Sequence, residues 1–268
     1  MDIKLKEIAV RDVFDGYKDS AENGVVGYGG KLNIRRAELL CKVLSDIRNS
    51  GEELILVSSG AIGMGVGKLG LKGRPADMPG KQAAAAVGQC ELMYTYDRMF
   101  SEYSHTVGQV LLTADDLRDE RRSTHVRNTL DQLIAYGAIP IVNENDTLSN
   151  EQITFGSNDT LAASVARLTS ADLIINMSDI DGLYDKNPRI YSDANLIEYI
   201  PEINDTIRSY AGGAGTKRGT GGMVAKLQAA ESAVRHGIPM IIVNGAKPDI
   251  LYNIFDGEFT GTYFEAEV

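Results

Sequence analysis

Apolar positions along the chain form two alternating patterns, one with helical spacing and one of short continuous runs. Residues 34–49 repeat apolar side chains near a 3.6-residue period after Asn33, which predicts an amphipathic helix with Asn33 as its N-cap. Gly51 is expected to end this helix. The apolar run at residues 53–58 then breaks into a Ser-Gly-Ala-Ile-Gly segment, a pattern typical of a buried parallel strand that leads into a glycine turn.

The same alternation of strand and helix continues along the rest of the chain. Strand-like runs are predicted at residues 106–112, 139–143, 173–177 and 240–243. Helix-like stretches are predicted at residues 82–103, 126–136, 159–169 and 223–236. Strands that are separated by helices predict an α/β fold with a mainly parallel sheet and helices on both of its faces.

Length and composition exclude several classes of protein. A chain of 268 residues with 43% hydrophobic and 24% charged residues predicts one large globular unit or a domain with a small appendage. Its apolar runs are shorter than the ~18 residues that span a bilayer, and its first residues lack the apolar segment of a signal peptide. We therefore expect a cytoplasmic protein without a membrane partner.

Charge and cysteine content narrow the candidate partners. The net charge of −10 and the lack of a basic run argue against nucleic acid as a partner. Cys41 and Cys90 lie in helix-like stretches without a CxxC pair or neighbouring metal ligands. We expect both to be buried, reduced thiols, and we predict no metal site built from cysteine or histidine.

Polar segments follow three of the predicted strands. They are residues 58–61 (Ser-Ser-Gly-Ala), 143–146 (Asn-Glu-Asn-Asp) and 178–184 (Ser-Asp-Ile-Asp-Gly-Leu-Tyr). Ligands of open α/β sheets bind at the carboxyl ends of the strands, so these segments predict a polar binding site at one sheet edge. Within it, Asp146 is the candidate for contact with a cationic group.

A glycine-rich segment, residues 219–223, opens the predicted helix that contains Lys226. Backbone amides at such a helix start can hold phosphate oxygens, although a flexible connection explains the glycines equally well and the P-loop pattern is not matched. Asp159, at another helix start, has two interpretations. It either satisfies free helix amides or positions a catalytic lysine or a Mg²⁺-bound phosphate.

Seven motifs between about residues 30 and 264 give the chain a resemblance to the amino acid kinase family. They are residues 57–62 (Val-Ser-Ser-Gly-Ala-Ile), 81–89 (Lys-Gln-Ala-Ala-Ala-Ala-Val-Gly-Gln), 109–113 (Gln-Val-Leu-Leu-Thr), 140–146 (Pro-Ile-Val-Asn-Glu-Asn-Asp), 158–159 (Asn-Asp), 178–184 and 219–223. The chain resembles the members that phosphorylate glutamate. This resemblance implies a three-layer αβα sandwich, and transfer of the ATP γ-phosphoryl group to the side-chain carboxylate of L-glutamate, the first step of proline biosynthesis.

The resemblance also implies a Mg²⁺ cofactor, a homo-oligomer and roles for individual residues. Members often carry a C-terminal PUA domain, to which the resemblance does not extend here. The implied substrate-binding residues are Ser59, Asp146 and Asn158. The implied nucleotide-binding residues are the pair Ser178 and Asp179 and the loop of Thr220, Gly221, Gly222, Met223, Val224, Ala225 and Lys226. Lys226 and Asp159 are the expected catalytic residues.

The start of the chain departs from the family pattern. The family has a first strand that leads into a Lys-x-Gly-Ser loop for the ATP phosphates, whereas residues 8–14 offer Arg11 followed by acidic and bulky residues. Residues 3–32 resemble instead the opening of ParB-like restriction-type nucleases. We divide the chain into an atypical segment, residues 1–30, and an amino acid kinase domain, residues 31–268. A fused foreign start and a diverged first strand are alternative explanations.

Two further departures affect the expected activity. Ser157 stands where the family has Asp, and Ala225 stands where it has Thr or Ser. Because loss of a hydrogen-bonding group from such a site lowers its rate, we expect a glutamate kinase that is weaker than the resemblance implies. A catalytically inactive homologue that keeps ligand binding or assembly, and a kinase of N-acetylglutamate or aspartate, are the alternatives.

Overall fold

The computed structural model describes residues 7–11, 26–27, 31–148, 157–212 and 222–267. Its strands are β1 (Glu7–Arg11), β2 (Val26–Gly27), β3 (Lys31–Leu32), β4 (Glu53–Val57), β5 (Val107–Leu112), β6 (Ile139–Glu144), β7 (Leu173–Ser178), β8 (Tyr199–Ile200), β9 (Met240–Asn244) and β10 (Gly261–Phe264). Its helices are α1 (Ile34–Asn49), α2 (Ala61–Lys68), α3 (Met78–Ser101), α4 (Ala114–Arg118), α5 (Glu120–Ala135), α6 (Asn158–Thr169), α7 (Asp205–Ala211), α8 (Met223–Val234) and α9 (Ile250–Asp256).

Eight strands form one sheet in the order β5-β6-β4-β1-β7-β9-β10-β8. All neighbours are parallel except β9 and β10, which are antiparallel, and β2 pairs with β3 in a separate small sheet. The strands from β5 to β9 in this order run parallel, so their carboxyl ends lie at one edge of the sheet. The predicted mainly parallel sheet is thus confirmed.

The strand β1 lies in the middle of this sheet. Ile8 is in register with Leu54 of β4 on one side and with Leu173 of β7 on the other. Residues 7–11 therefore belong to the same sheet as the remainder of the chain. The segment 12–25, where a phosphate loop would follow this strand, lies outside the described residues, and the division at residue 30 stays a prediction.

Side chains of successive strand residues enter two different cores, one on each face of the sheet. Leu54 and Leu56 pack with α1, α3 and α9, whereas Ile55 and Val57 pack with α5 and α6. A third cluster joins α6 and α8 to β7, β9 and β10. The period of two follows from strand geometry, and burial on both faces requires a helical layer on each. The result is the three-layer αβα sandwich.

Most predicted elements are present, within a few residues at their ends. Asn33 is the N-cap of α1, with its side chain accepting a hydrogen bond of 3.3 Å from the Arg36 amide. Cys41 is buried as expected, but the predicted burial of Cys90 is wrong, since it lies on the outward face of α3. In the described part of the chain, neither cysteine forms a disulfide. Within the described residues, the helices are too short or too polar to cross a bilayer.

Candidate active site

The loop after β4 brings two serines to the edge of the sheet. Ser58 and Ser59 are buried, and Gly60 follows with a φ of 102°, a conformation that suits glycine at the turn into α2. Helix α2 then packs closely on α3. A Cβ on Gly88 would lie 1.7 Å from the Ala61 carbonyl oxygen, so only glycine allows this approach. The close packing places the next residue of α3, Gln89, beneath the strand ends.

An amide network connects three elements at this edge. The Nδ2 of Asn158, at the start of α6, donates to the Ser58 carbonyl oxygen at 2.8 Å and to the Ser59 hydroxyl. The same nitrogen lies 3.2 Å from Oδ1 of Asn143, at the end of β6. Asn143 in turn donates through Nδ2 to Oε1 of Gln89 at 2.9 Å. The structure therefore brings together Ser59 and Asn158, two of the predicted substrate-binding residues.

Asp146, the third predicted substrate-binding residue, lies in the turn that follows β6. This turn is tied to the sheet because the Asn145 amide donates to the Leu112 carbonyl oxygen at 2.8 Å. Asp146 is half-buried, so its carboxylate is neither in the core nor fully in solvent. The preceding strand, β6, lies next to β4 in the sheet, so Asp146 is at the same edge as Ser59.

A buried ion pair lies at the centre of the edge. The Nζ of Lys226 is 3.3 Å from Oδ1 of Asp159, and the two residues are only 5% and 1% exposed. The packing of α8 against α6 brings them together. Asn176 of β7 also donates to Oδ1 of Asp159, at 2.6 Å. Buried charges are rare in proteins unless they are paired, and they concentrate where function requires them.

The end of β7 places the predicted nucleotide-binding pair, Ser178 and Asp179. The Asp179 carboxylate accepts from Nη2 of Arg189 at 2.8 Å. Burial raises the pKa of this carboxyl, but the hydrogen bond and charge of Arg189, with a smaller contribution from the Lys226 charge, outweigh burial and leave the pKa below its ordinary value. Asp179 is therefore ionised at neutral pH and faces the same region as Lys226.

The start of α8 supplies backbone donors. Gly222 is the N-cap and has no side chain to satisfy the first amides of the helix, at Met223 and Val224, whereas the Ala225 amide already donates to the Gly222 carbonyl oxygen at 3.1 Å. A helix start of this kind favours anions such as phosphate oxygens. Val224 is 39% exposed, so it lies at the surface of the helix start. Thr220 and Gly221, also predicted here, lie outside the described residues.

Two side chains of the site were not among the predicted site residues. Gln89 joins the amide network from α3, and Asn176 joins the ion pair from β7. The sequence contains a signal for Asn176, because an amide interrupts the otherwise apolar run Leu-Ile-Ile-Asn-Met. Gln89 ends the family motif at residues 81–89, but nothing in the sequence marks it as a partner of Asn143.

The site lies at the edge of a parallel sheet and combines a glycine-capped helix start with a buried lysine and several amides. These features are typical of an α/β protein that binds anionic ligands such as phosphates. The chain belongs to the Amino acid kinase family, whose family model matches residues 24–244. It is thus a member of a kinase family, as the sequence motifs indicate.

Individual relatives agree with this assignment. The chain is 52% identical over 235 residues to the glutamate 5-kinase of Clostridium acetobutylicum, which covers 88% of each chain. It is also 52% identical over 242 residues to the glutamate 5-kinase of Clostridium perfringens, covering 89% of this chain and 90% of that one. Carbamate kinase from Giardia lamblia bound to AMP-PNP has a similar structure, with a TM-score of 0.68 over 98% of this chain and 99% of that one. At 12% identity, this structural likeness shows the fold alone.

Proposed function

We propose that this chain transfers the γ-phosphoryl group of ATP to the side-chain carboxylate of L-glutamate, which forms L-glutamyl 5-phosphate and ADP. The observation that carries this proposal is the 52% identity to glutamate 5-kinases over 88% of both chains. The product is the activated acid from which proline biosynthesis begins. The enzyme is therefore a phosphotransferase with a carboxyl group as acceptor.

The glutamate end of the site is assigned to the edge around β4 and β6. Asp146 offers a carboxylate to the substrate amino group, and a charge-assisted hydrogen bond of this kind is among the stronger ones in proteins. Ser59 offers its hydroxyl to the substrate carboxylate region, and Asn158 offers its backbone amide at the start of α6, because its side-chain nitrogen already donates to Ser58 and Ser59. Because Asn158 is already fixed by Ser58 and Asn143, its position is set before the substrate binds.

The nucleotide end is assigned to the edge around β7 and α8. Ser178 and Asp179 contact the nucleoside, and the loop from Thr220 to Lys226 holds the phosphates with backbone amides. This division places the two substrates on either side of the central strand β1. It agrees with the general position of ligands at the carboxyl ends of parallel strands.

The reaction requires two anions to meet, since both the glutamate carboxylate and the triphosphate are negatively charged. A carboxylate oxygen of glutamate attacks the γ-phosphorus, and the bond from this phosphorus to the β,γ-bridging oxygen breaks as ADP leaves. Lys226 stabilises the charge on the transferring group, and Asp159 holds the lysine in place. Phosphoryl transfer depends on such placement and charge neutralisation more than on covalent chemistry.

Mg²⁺ fits this site as a companion of the nucleotide. In the described residues, groups of three or more His, Cys, Asp or Glu that could cage a metal are absent. Mg²⁺ keeps several waters and commonly binds through substrate phosphates and one or two carboxylates, and the ionised Asp179 supplies an oxygen donor on the nucleotide side. When bound, Mg²⁺ neutralises phosphate charge.

The compartment and the assembly state belong to the same proposal. The cytoplasm is the expected compartment, because a kinase of this type draws on the ATP and glutamate present there. A homo-oligomer is expected from the family. Analytical ultracentrifugation of the purified chain measures the oligomeric state directly.

The function is tested by ATP- and Mg²⁺-dependent hydroxamate formation from hydroxylamine, with ADP release measured in parallel. L-glutamate, N-acetylglutamate and L-aspartate are compared at equal concentration. We expect glutamate to give the highest kcat/KM, with one hydroxamate for each ADP. A higher value for N-acetylglutamate or aspartate would reassign the substrate, and ADP release without any acceptor product would contradict the kinase assignment.

A further inference from the structure

Asn176 is an amide buried in the middle of β7, where its neighbours in sequence are apolar. Its exposed fraction is 0%, and Ile175 and Met177 on either side of it enter the large apolar cluster on the opposite face of the sheet. A buried amide is costly unless it makes hydrogen bonds, and an apolar residue would suit this position in a strand better. The amide therefore calls for a reason other than packing.

The contacts of Asn176 point to the ion pair. Its Nδ2 donates to Oδ1 of Asp159 at 2.6 Å, and the same oxygen lies 3.3 Å from Nζ of Lys226. The orientation of the amide follows from chemistry, because a flipped amide would place its oxygen against a carboxylate oxygen. The Oδ1 of Asn176 is buried and finds no hydrogen-bond partner among the described residues. The nitrogen of the amide is thus hydrogen-bonded to Asp159, whereas its oxygen lacks a partner among the described residues.

We propose that Asn176 is a positioning residue for phosphoryl transfer, which acts on Lys226 through Asp159. This inference rests on the proposed function and extends its site by one residue. Asp159 is fixed to the helix α6, and Lys226 to the helix α8, whereas Asn176 is fixed to the central sheet. Its hydrogen bond therefore anchors the carboxylate to the central sheet, and the carboxylate sets the direction of the ammonium group.

Such an anchor matters because a site that stabilises charge loses rate when its charged group is displaced by a fraction of an ångström. The hydrogen bond also gives the Asp159 carboxylate a fixed contact besides the one to the Lys226 ammonium group. Neither effect involves a contact with glutamate or with ATP. Loss of Asn176 is therefore expected to lower kcat and to leave both KM values nearly unchanged.

The test compares Asn176→Leu, which removes the amide at similar volume, with Asn176→Ala, which removes the amide and reduces the volume. We expect a fall in kcat of about tenfold for Asn176→Leu, equivalent to ~1.4 kcal/mol, and at least as large a fall for Asn176→Ala. KM values for glutamate and ATP should stay within about twofold. Thr169→Val is the matched control, since Thr169 is a buried polar residue of α6 whose hydroxyl donates only within its own helix. Its kcat should not change.

A double-mutant cycle with Asp159→Asn separates positioning from a purely structural role. If Asn176 acts through Asp159, then Asn176→Leu should lower kcat by less than about twofold in the Asp159→Asn background. A full tenfold loss in that background would overturn the inference. So would a kcat within twofold of wild type in folded Asn176→Leu, or in Asn176→Ala if the leucine variant does not fold.

The same measurements distinguish this inference from the proposed function. If wild-type protein prefers another acid, the assigned substrate is wrong, while the comparison of kcat with that acid still decides the role of Asn176. If wild-type protein phosphorylates none of glutamate, N-acetylglutamate and aspartate, both statements are overturned.

Discussion

Replacement of Lys226 by methionine tests the centre of the proposed mechanism. Methionine keeps most of the length of the side chain and removes the ammonium group, with its charge and its hydrogen-bond donors. Removal of a charge contact to a developing transition state costs on the order of 10²–10³ in rate, or about 2.7–4 kcal/mol. We therefore expect kcat for glutamate to fall by at least about a hundredfold, with smaller changes in the KM values. Hydroxamate formation at saturating glutamate and ATP measures this fall.

The same change should also reduce stability, because the lysine is one half of a buried ion pair. Loss of one partner of such a pair commonly costs about 3–5 kcal/mol, since the other charge stays buried. Here the cost should lie at or below the lower end of that range, because the Asp159 carboxylate keeps its hydrogen bond from Asn176. Urea unfolding of the purified variant measures the difference in the free energy of unfolding.

The matched control is Lys68→Met. Lys68 also pairs with a carboxylate, Glu91, at the shorter distance of 2.7 Å, but its side chain is 58% exposed. Solvent screening makes such a surface pair weak, so activity and stability should both stay at the wild-type level. If folded Lys226→Met retains more than about a tenth of wild-type kcat, Lys226 does not carry the transition-state charge.

Three further predictions concern other parts of the site. Asp146→Ala should weaken apparent glutamate affinity by about ten- to a hundredfold, because it removes a charge-assisted hydrogen bond of roughly 1.5–3 kcal/mol, and initial rates at varied ATP should show nucleotide affinity unchanged. Gly88→Ala should lower the free energy of unfolding by about 1–3 kcal/mol in urea titrations, since its Cβ would meet the Ala61 carbonyl oxygen at 1.7 Å. If the variant is as stable as wild type, α2 and α3 can move apart to accept the added methyl group. Arg189→Met should raise the pKa of Asp179, because the burial that raises it is no longer outweighed. In wild type, the lowered pKa of Asp179 stabilises the fold above the unfolded pKa of ~3.9, and this contribution is lost as pH falls through the lower folded pKa. The stability deficit of the variant, less than about 1 kcal/mol at about pH 6, should therefore shrink as the pH falls below ~3.9.

Periodicity predicts those elements whose burial pattern is simple. The helix α1 has one apolar face and a side-chain cap, and the parallel strands are continuous apolar runs, so both stand out in the sequence. The helix α2 does not, because its sequence Ala-Ile-Gly-Met-Gly-Val-Gly-Lys contains three glycines, which disfavour a helix. Tertiary packing against α3 outweighs this preference, as the contacts at Gly65 and Gly88 show.

The site is predictable to the extent that its residues follow strands. Ser59, Asp146 and Asp179 lie at strand ends, so the rule for parallel sheets places them at one edge. The pairing of Lys226 with Asp159 is different, because it depends on how α8 packs against α6. The role of Asn176 is harder still to predict from the sequence, because it depends on the hydrogen bond to Asp159, which only the structure shows. The resemblance to kinases supplied the roles that spacing alone does not specify.

The central position of β1 has a consequence for how the chain folds during synthesis. The neighbour β4 leaves the ribosome soon after β1, but the other neighbour, β7, begins only at Leu173. One edge of β1 must therefore stay without its native partner while most of the domain is made. Pairing between positions so far apart in sequence is slow, and strand edges that wait for a partner are prone to aggregation. Chaperone dependence and refolding yield should thus respond to changes in β1 and β7 more strongly than to changes in β5, at the border of the sheet.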